Sequence, residues 1–253
     1  MNRIDLNCDM GEGFGVYRTS SDGELMKYIT SANIACGFHA GDAATIRAAV
    51  KLAMQHHVGI GAHPGLPDLT GFGRRSMDIS PQEAYEMTVY QIGAVYAFAK
   101  SEGGSVAHVK PHGALYNMAA KSKPLAKAIA EAVYKVDPQL MLFGLSGSEL
   151  VRAGEAIGLR TVNEVFADRS YEADGSLTPR GTEGAVIVDP KLAAEQAVRM
   201  IMRGEVRTRQ QSMIVLKADS VCVHGDTPGA LEHVIHLRNA LEAAGISVMK
   251  AGA

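Results

Sequence analysis

With 253 residues, 47% hydrophobic and 21% charged, the chain has the composition of a folded globular protein rather than of a disordered one. Its 25 Lys and Arg against 27 Asp and Glu give a net charge of -2, with no positive excess to neutralise many phosphates or to hold an anionic membrane surface. Neither nucleic acid nor a membrane is therefore expected as a partner.

The first residues, Met1-Asn2-Arg3-Ile4-Asp5, lack the apolar core of a signal peptide, and no apolar run approaches the ~18 residues of a membrane span. A cytoplasmic location is expected. In chain order, short β-rich runs fall at 4–8, 33–37, 58–62, 105–110, 140–145, 160–166 and 220–224, with a last candidate at 246–249. Most read as uniformly apolar, the pattern of a parallel sheet buried on both faces. Helices separate them. Ile46, Ala49, Val50 and Ala53 form an apolar stripe at helical spacing, as do Ala230, Val234, Leu237 and Leu241. Ser80-Pro81-Gln82-Glu83 offers a capping box with proline at the first helical position, and Asp189-Pro190 and Thr227-Pro228 repeat the cap-then-proline start. No linker or low-complexity tract interrupts the series. The pattern predicts an α/β fold, one (β/α) barrel domain over residues 1–253 with seven or eight mainly parallel strands. The one long stretch without periodicity, 167–183, is expected to be an active-site loop.

In such barrels the working residues lie beyond the carboxyl ends of the strands. Those exits carry Asn7, Asp9 and Glu12; His39 and Asp42; His63; Lys110 and His112; Asp168 and Arg169; and His224 and Asp226. Four histidines at four exits, His39, His63, His112 and His224, argue for shared function. Asp42 directly precedes a helix and reads as its N-cap. His56, His57, His233 and His236 lie off the apolar stripes of their helices and read as solvated surface. The three cysteines, Cys8, Cys36 and Cys222, are too widely spaced for a disulfide framework or a CxxC metal site and read as buried thiols. No GxxxxGK[ST] phosphate loop occurs, and Gly144-Leu145-Ser146-Gly147-Ser148 fails the GxSxG pattern, leaving a helix N-cap as its reading.

Several long motifs occur together: Asp5-Leu6-Asn7-Cys8-Asp9-Met10-Gly11-Glu12, Asn33-Ile34-Ala35-Cys36-Gly37-Phe38-His39-Ala40-Gly41-Asp42, Gly61-Ala62-His63-Pro64-Gly65, His108-Val109-Lys110-Pro111-His112-Gly113-Ala114-Leu115-Tyr116 and Val223-His224-Gly225-Asp226. In these motifs, spread over nearly the whole chain, the sequence resembles the LamB/YcsF lactam-utilisation family. The resemblance implies a distorted (β/α) barrel similar to those of polysaccharide deacetylases and glycoside hydrolases. It also implies ATP-dependent opening of 5-oxo-L-proline to L-glutamate, with ATP as co-substrate alongside Mg²⁺, together with subunits B and C of a bacterial 5-oxoprolinase.

On that reading Asp9, His39, His63, Lys110, His112, Asp168, His224 and Asp226 form the catalytic set, while Asn7, Glu12, Asn33 and Arg169 bind substrate. Phosphorylation of the amide oxygen would activate the ring. Lys110 and Arg169 could hold phosphate or carboxylate charge, and Asp9, Asp168 or Asp226 with His39, His63 or His224 could activate water and protonate the leaving nitrogen. For Lys110 the alternative is an ion pair with Asp9 or Asp168 that holds the mouth together. Two other readings remain. One is a metal-dependent amide hydrolase acting alone, with Asp9, His39, His63 and His224 as ligands; the other is a noncatalytic subunit that binds partners. Because these residues lack compact HxH or HxxxH spacing, no tightly bound transition metal is expected.

Overall fold

The computed structural model describes residues 2–17, 22–223 and 229–252. Along the chain run β1 (Arg3–Met10), α1 (Asp22–Leu25), β2 (Ser31–Ala35), α2 (Ala43–Gln55), β3 (Gly59–His63), α3 (Pro81–Ser101), β4 (Val106–Val109), α4 (Gly113–Lys121) and α5 (Lys123–Val136). Then follow β5 (Met141–Leu145), α6 (Glu149–Ile157), β6 (Arg160–Phe166), α7 (Pro190–Arg203), β7 (Glu205–Arg207), β8 (Met213–Val215), β9 (Ser220–Val223), α8 (Ala230–Ala243) and β10 (Ser247–Val248). Strands β1 to β6 pair in sequence order, β6 pairs with β9, and β9 returns to β1, so parallel strands close into a barrel with the helices outside. β10 adds to the start of β1, in parallel.

The predicted strands and helices sit where expected, with one addition. β7 and β8 form an antiparallel hairpin that the sequence pattern did not signal; each strand is three residues long, too short for an alternation to register. Asp42 caps α2 by accepting from Thr45 N–H, Ser80 and Glu83 complete the capping box of α3, and Asp189 caps α7. Ser148 caps α6 by accepting from Val151 N–H, as the sequence at 144–148 predicts. Thr227-Pro228 lies outside the described residues; α8 begins at Ala230, after Gly229. The three cysteines are free and buried. Among the described residues, no helix is long and apolar enough to cross a membrane.

Contrary to expectation, the strands are not uniformly apolar. Side chains alternate along a strand. In β1, Ile4, Leu6, Cys8 and Met10 join the apolar layer under the helices. Asp5, Asn7 and Asp9 alternate with them and face the barrel axis, where Asn7 reaches Glu164 of β6, Ser220 of β9 and Asn33 of β2. The barrel interior is therefore polar along much of its axis, with Met141, Phe143 and Val162 as a small apolar cluster, in contrast to the packed layers of branched apolar side chains usual in such barrels.

Interior space is tightly allotted. His108 of β4 stacks on Phe143, ring centroids 4.4 Å apart and planes 29° from parallel, and its Nε2 is 2.8 Å from Asn33 Oδ1. Burial pulls the imidazole down to about 3, so it is neutral. A Cβ on Gly61 of β3 would occupy the space of that ring. Gly61→Ala is accordingly expected to destabilise the fold by about 1–3 kcal/mol through overpacking. Thermal melting of the variant reads this directly, and an unchanged melting temperature would contradict the packing described.

Candidate active site

Polar side chains climb the barrel axis in three levels. At the base, the Asp5 carboxylate accepts from Ser31 Oγ at 2.6 Å, Thr30 Oγ1 at 2.7 Å and Ser220 Oγ at 2.5 Å. At mid-height, Asn7 Nδ2 donates to Glu164 Oε1 at 2.9 Å, Asn33 Nδ2 donates to Asn7 Oδ1 at 2.7 Å, and Tyr116 O–H donates to Glu164 Oε2 at 2.6 Å. Above them lies Lys110, just past the end of β4 and only 3% exposed. Its Nζ is 2.8 Å from Glu164 Oε1, 3.1 Å from Asp9 Oδ1, 3.0 Å from Asn7 Oδ1 and 3.1 Å from Cys222 Sγ.

Burial by itself would strip the proton from Lys110; the charges of Asp9 and Glu164 outweigh it and hold the ammonium well above its ordinary value. Burial likewise opposes ionisation of Asp9, and its neighbours His63 and Lys110 carry it the other way, well below the usual carboxylate range. The ion-pair partners of Lys110 are thus Asp9 and Glu164, and Asp168 is not among them.

The histidines stand beside this pair. His63, the last residue of β3, donates from Nδ1 to the Lys110 carbonyl at 2.6 Å, while its Nε2 is 3.2 Å from Asp9 Oδ2. His112, which precedes α4, donates from Nε2 to the Phe72 carbonyl at 2.8 Å. The turn that presents this carbonyl holds Phe72 at φ 54, a left-handed value that costs a non-glycine residue about 1–2 kcal/mol. Gly73 follows at φ 63, where a Cβ would meet both His39 and His112. His39 stacks on His112, ring centroids 3.7 Å apart and planes 2° from parallel, with its Nε2 3.4 Å from Glu12 Oε1. Burial holds His39 well below the ordinary imidazole value and brings His112 to about 3.

Above Lys110 opens a cavity of about 510 Å³. Asp9, His63, Lys110 and His112 border it below, Tyr116, Leu145, Phe166 and Leu177 give it apolar sides, and Arg74, Arg169 and Arg180 bring positive charge to its wall. Arg169 is fixed by donation to the Ala185 carbonyl at 3.2 Å and the Thr178 carbonyl at 2.5 Å, and burial pulls it down to about 10. The segment expected to be an active-site loop supplies Arg169, Ser176, Leu177, Thr178, Pro179 and Arg180 to this wall.

The structure thus gathers Asp9, Glu12, His39, His63, Lys110 and His112, and puts Arg169 beside the cavity. Asn7 and Asn33 are fully buried beneath Lys110, where they support the floor. Asp168 lines a separate, smaller cavity with Pro190, Ala193, His233 and Leu237, because consecutive residues of the loop turn to opposite sides. His224 and Asp226 lie outside the described residues. Sequence reasoning missed Glu164, Tyr116, His108 and Asp5. A charged residue in mid-strand, as in Val162-Asn163-Glu164-Val165, was the available signal for Glu164. Among the described residues, the side chains able to hold a metal are Glu12, His39, His63 and His112, their ligand atoms all within 4.8 Å of one another. This set differs from the one expected from strand exits, with Glu12 and His112 in it and Asp9 outside it.

Residues 4–253 match the LamB/YcsF family. The A subunit of 5-oxoprolinase from Clostridium kluyveri is 59% identical over 251 residues, 99% of this chain and 98% of the relative. That of Bacillus subtilis strain 168 is 58% identical over 248 residues, 98% of this chain and 96% of the relative. The crystal structure of the lactam utilization protein from Thermus thermophilus superposes with a TM-score of 0.91 at 45% identity, covering 98% of this chain and 99% of that one. A GH113 β-1,4-mannanase, at TM-score 0.54 and 12% identity over 96% of this chain and 99% of its own, shares the barrel fold alone. With the family matched from the first strand to the last residues, and full-length relatives more than half identical, the chain belongs to the LamB/YcsF family.

Proposed function

We propose that the chain is the A subunit of a cytoplasmic, ATP-dependent 5-oxoprolinase that opens 5-oxo-L-proline to L-glutamate together with subunits B and C, residues 1–253 working as one barrel domain. The observation that carries this reading is the buried Lys110 ammonium at the floor of a cavity walled by Arg74, Arg169 and Arg180. A lactam bearing a carboxylate, activated through its amide oxygen, needs positive charge at two places, and this cavity offers it at the floor and on the wall. The activity for which the relatives are named points to the same substrate.

Transfer of the γ-phosphoryl group of Mg-ATP to the lactam oxygen releases ADP. Water then adds to the activated carbon, the ring C–N bond breaks with the nitrogen taking up a proton to leave a γ-glutamyl phosphate, and a second water hydrolyses that acyl phosphate to the carboxylate and free phosphate. Lys110 is suited to the charge that gathers on the oxygen. Asp9, His63 and His112, which edge the cavity, are the groups in reach of a water and of the leaving nitrogen. Arg169 and Arg180 suit the carboxylate or the phosphoryl group. No phosphate loop of the GxxxxGK[ST] kind occurs in the sequence, so on this reading the nucleotide is handled with the partner subunits.

Two results test the proposal. ADP and glutamate formation from 5-oxoproline is measured for this chain alone, for subunits B and C alone, and for all three. Turnover is expected only from the full set. Robust hydrolysis by the purified chain alone would favour the self-sufficient amide hydrolase, and turnover by B and C without this chain would remove it from catalysis.

The second concerns Lys110. Lys110→Met leaves Asp9 and Glu164 as buried, uncompensated carboxylates and is expected to destabilise the fold by about 3–5 kcal/mol. Adding Glu164→Gln removes one of those charges and should restore part of the melting temperature. Turnover of the assembled enzyme should stay down by roughly a hundredfold or more in both variants, the worth of one preorganised electrostatic contact. Recovery of turnover along with stability in the double variant would make Lys110 a purely structural cation.

A further inference from the structure

Two imidazoles in this site meet nitrogen to nitrogen. His63 Nδ1–H is committed to the Lys110 carbonyl and His112 Nε2–H to the Phe72 carbonyl, at 2.6 and 2.8 Å. A carbonyl oxygen only accepts, so these bonds use the single proton that each neutral ring carries. The remaining nitrogens, His63 Nε2 and His112 Nδ1, face each other 2.9 Å apart as lone pairs. Asp9 Oδ2 lies 3.2 Å from the first and Glu12 Oε1 3.6 Å from the second. Lone pairs and carboxylates so close repel unless a cation sits among them. Either a proton shared by the two rings or a metal ion bound by both satisfies this.

Three observations favour the metal. Anchoring the outer N–H of a histidine on a backbone carbonyl is the arrangement that fixes tautomer and aim in metal-ligating histidines, and both rings have it. A shared proton gives no role to His39, which is fully buried with neither ring nitrogen hydrogen-bonded. Its Nε2 lies 3.4 Å from Glu12 Oε1, in the same cluster. Two of the spacings also fit. Two donors each about 2.1 Å from one ion stand about 3.0 Å apart at a right angle and about 3.4 Å apart at the tetrahedral angle. The separations of 2.9 and 3.4 Å match these.

We propose that His63, His112, Glu12 and His39 form a binding site for one first-row divalent transition metal of the zinc class. Three nitrogens and one carboxylate suit such an ion and are a poor match for Mg²⁺ or Ca²⁺, which take oxygen ligands. The sequence spacing pointed away from a metal because the donors come from four separate strand exits; the fold brings them together. Because the His39 and His112 rings are stacked, an ion in the plane of one lies out of the plane of the other, so His39 is the weakest of the four donors. His63 and His112 both border the cavity, so an ion there would supply Lewis acidity to a carbonyl or a water in it. The site stands independently of the lactam reading, and its test measures binding rather than turnover.

The probes are Co²⁺ and Zn²⁺, added to the full-length chain after removal of metal with a chelator. One equivalent per chain should bind with submicromolar affinity, with visible Co²⁺ absorption that Zn²⁺ abolishes. His63→Ala, His112→Ala and Glu12→Gln should each weaken Zn²⁺ binding at least roughly a hundredfold. His39→Ala should weaken it less, and the exposed His236→Ala should leave it unchanged. Should the ligand variants fail to fold, the wild type still decides. Its Co²⁺ form should show paramagnetically shifted N–H proton resonances from His63 Nδ1 and His112 Nε2, slow to exchange because both are buried and bonded to carbonyls. Absence of submicromolar binding, binding undiminished in a folded His112→Ala variant, or a Co²⁺ form without the shifted N–H resonances would overturn the site and leave a shared proton between the rings.

Discussion

The structure depends on one buried cation. Lys110 Nζ sits inside the closed barrel between Glu164 Oε1 at 2.8 Å and Asp9 Oδ1 at 3.1 Å. Taking three charges out of water is costly, and such a cluster persists only where the remaining lone pairs and protons are also bonded. Here they are: Tyr116 and Asn7 donate to Glu164, Asn33 donates to Asn7 and to Asp9, and Lys110 also reaches Asn7. The strands contribute one or two members each, so the network ties β1, β2, β6 and β9 across the barrel axis as well as around its wall.

This polar axis changes what the barrel core does. The main apolar layer lies between strands and helices, where Ile4, Leu6, Cys8 and Met10 meet residues such as Leu25 and Val50, and Met141, Phe143 and Val162 form a separate small cluster on which His108 stacks. Along the axis, hydrogen bonds take the place of much of the apolar packing, from Asp5 at the base to the mouth. Such networks are rigid when fully satisfied and costly when any member is removed. A rigid floor suits a site whose chemistry needs charges held in place before the substrate arrives.

At the mouth, different constraints converge on the same few residues. His63 is fixed by the carbonyl of Lys110, and His112 by the carbonyl of Phe72, a residue held in a left-handed turn beside Gly73. Their inner nitrogens are thereby aimed at each other and toward Asp9 and Glu12. The loop after β6 closes the other side with Arg169 and Arg180. Carboxylates and imidazoles gather around the Lys110 ammonium at the floor, and guanidinium groups line the wall.

The sequence by itself determined the barrel. Apolar runs spaced by helices, with capping signals at Ser80 and Asp189, placed the parallel strands and their exits, because local periodicity and caps are read from neighbours in the chain. It also placed Asp9, His39, His63, Lys110 and His112 at one mouth, since every exit of a parallel barrel faces the same way. Only the tertiary structure decided how those residues are connected. His108 and Tyr116 look like ordinary members of a strand or helix until closure turns them onto Asn33 and Glu164. Asp168 and Arg169 are adjacent in sequence yet line different cavities, because the loop's path and not its composition sets their direction. The grouping of Glu12 with three histidines arises the same way, from donors on separate strands whose distances are fixed by the pairing register and by two backbone carbonyls, neither of which is written in local spacing.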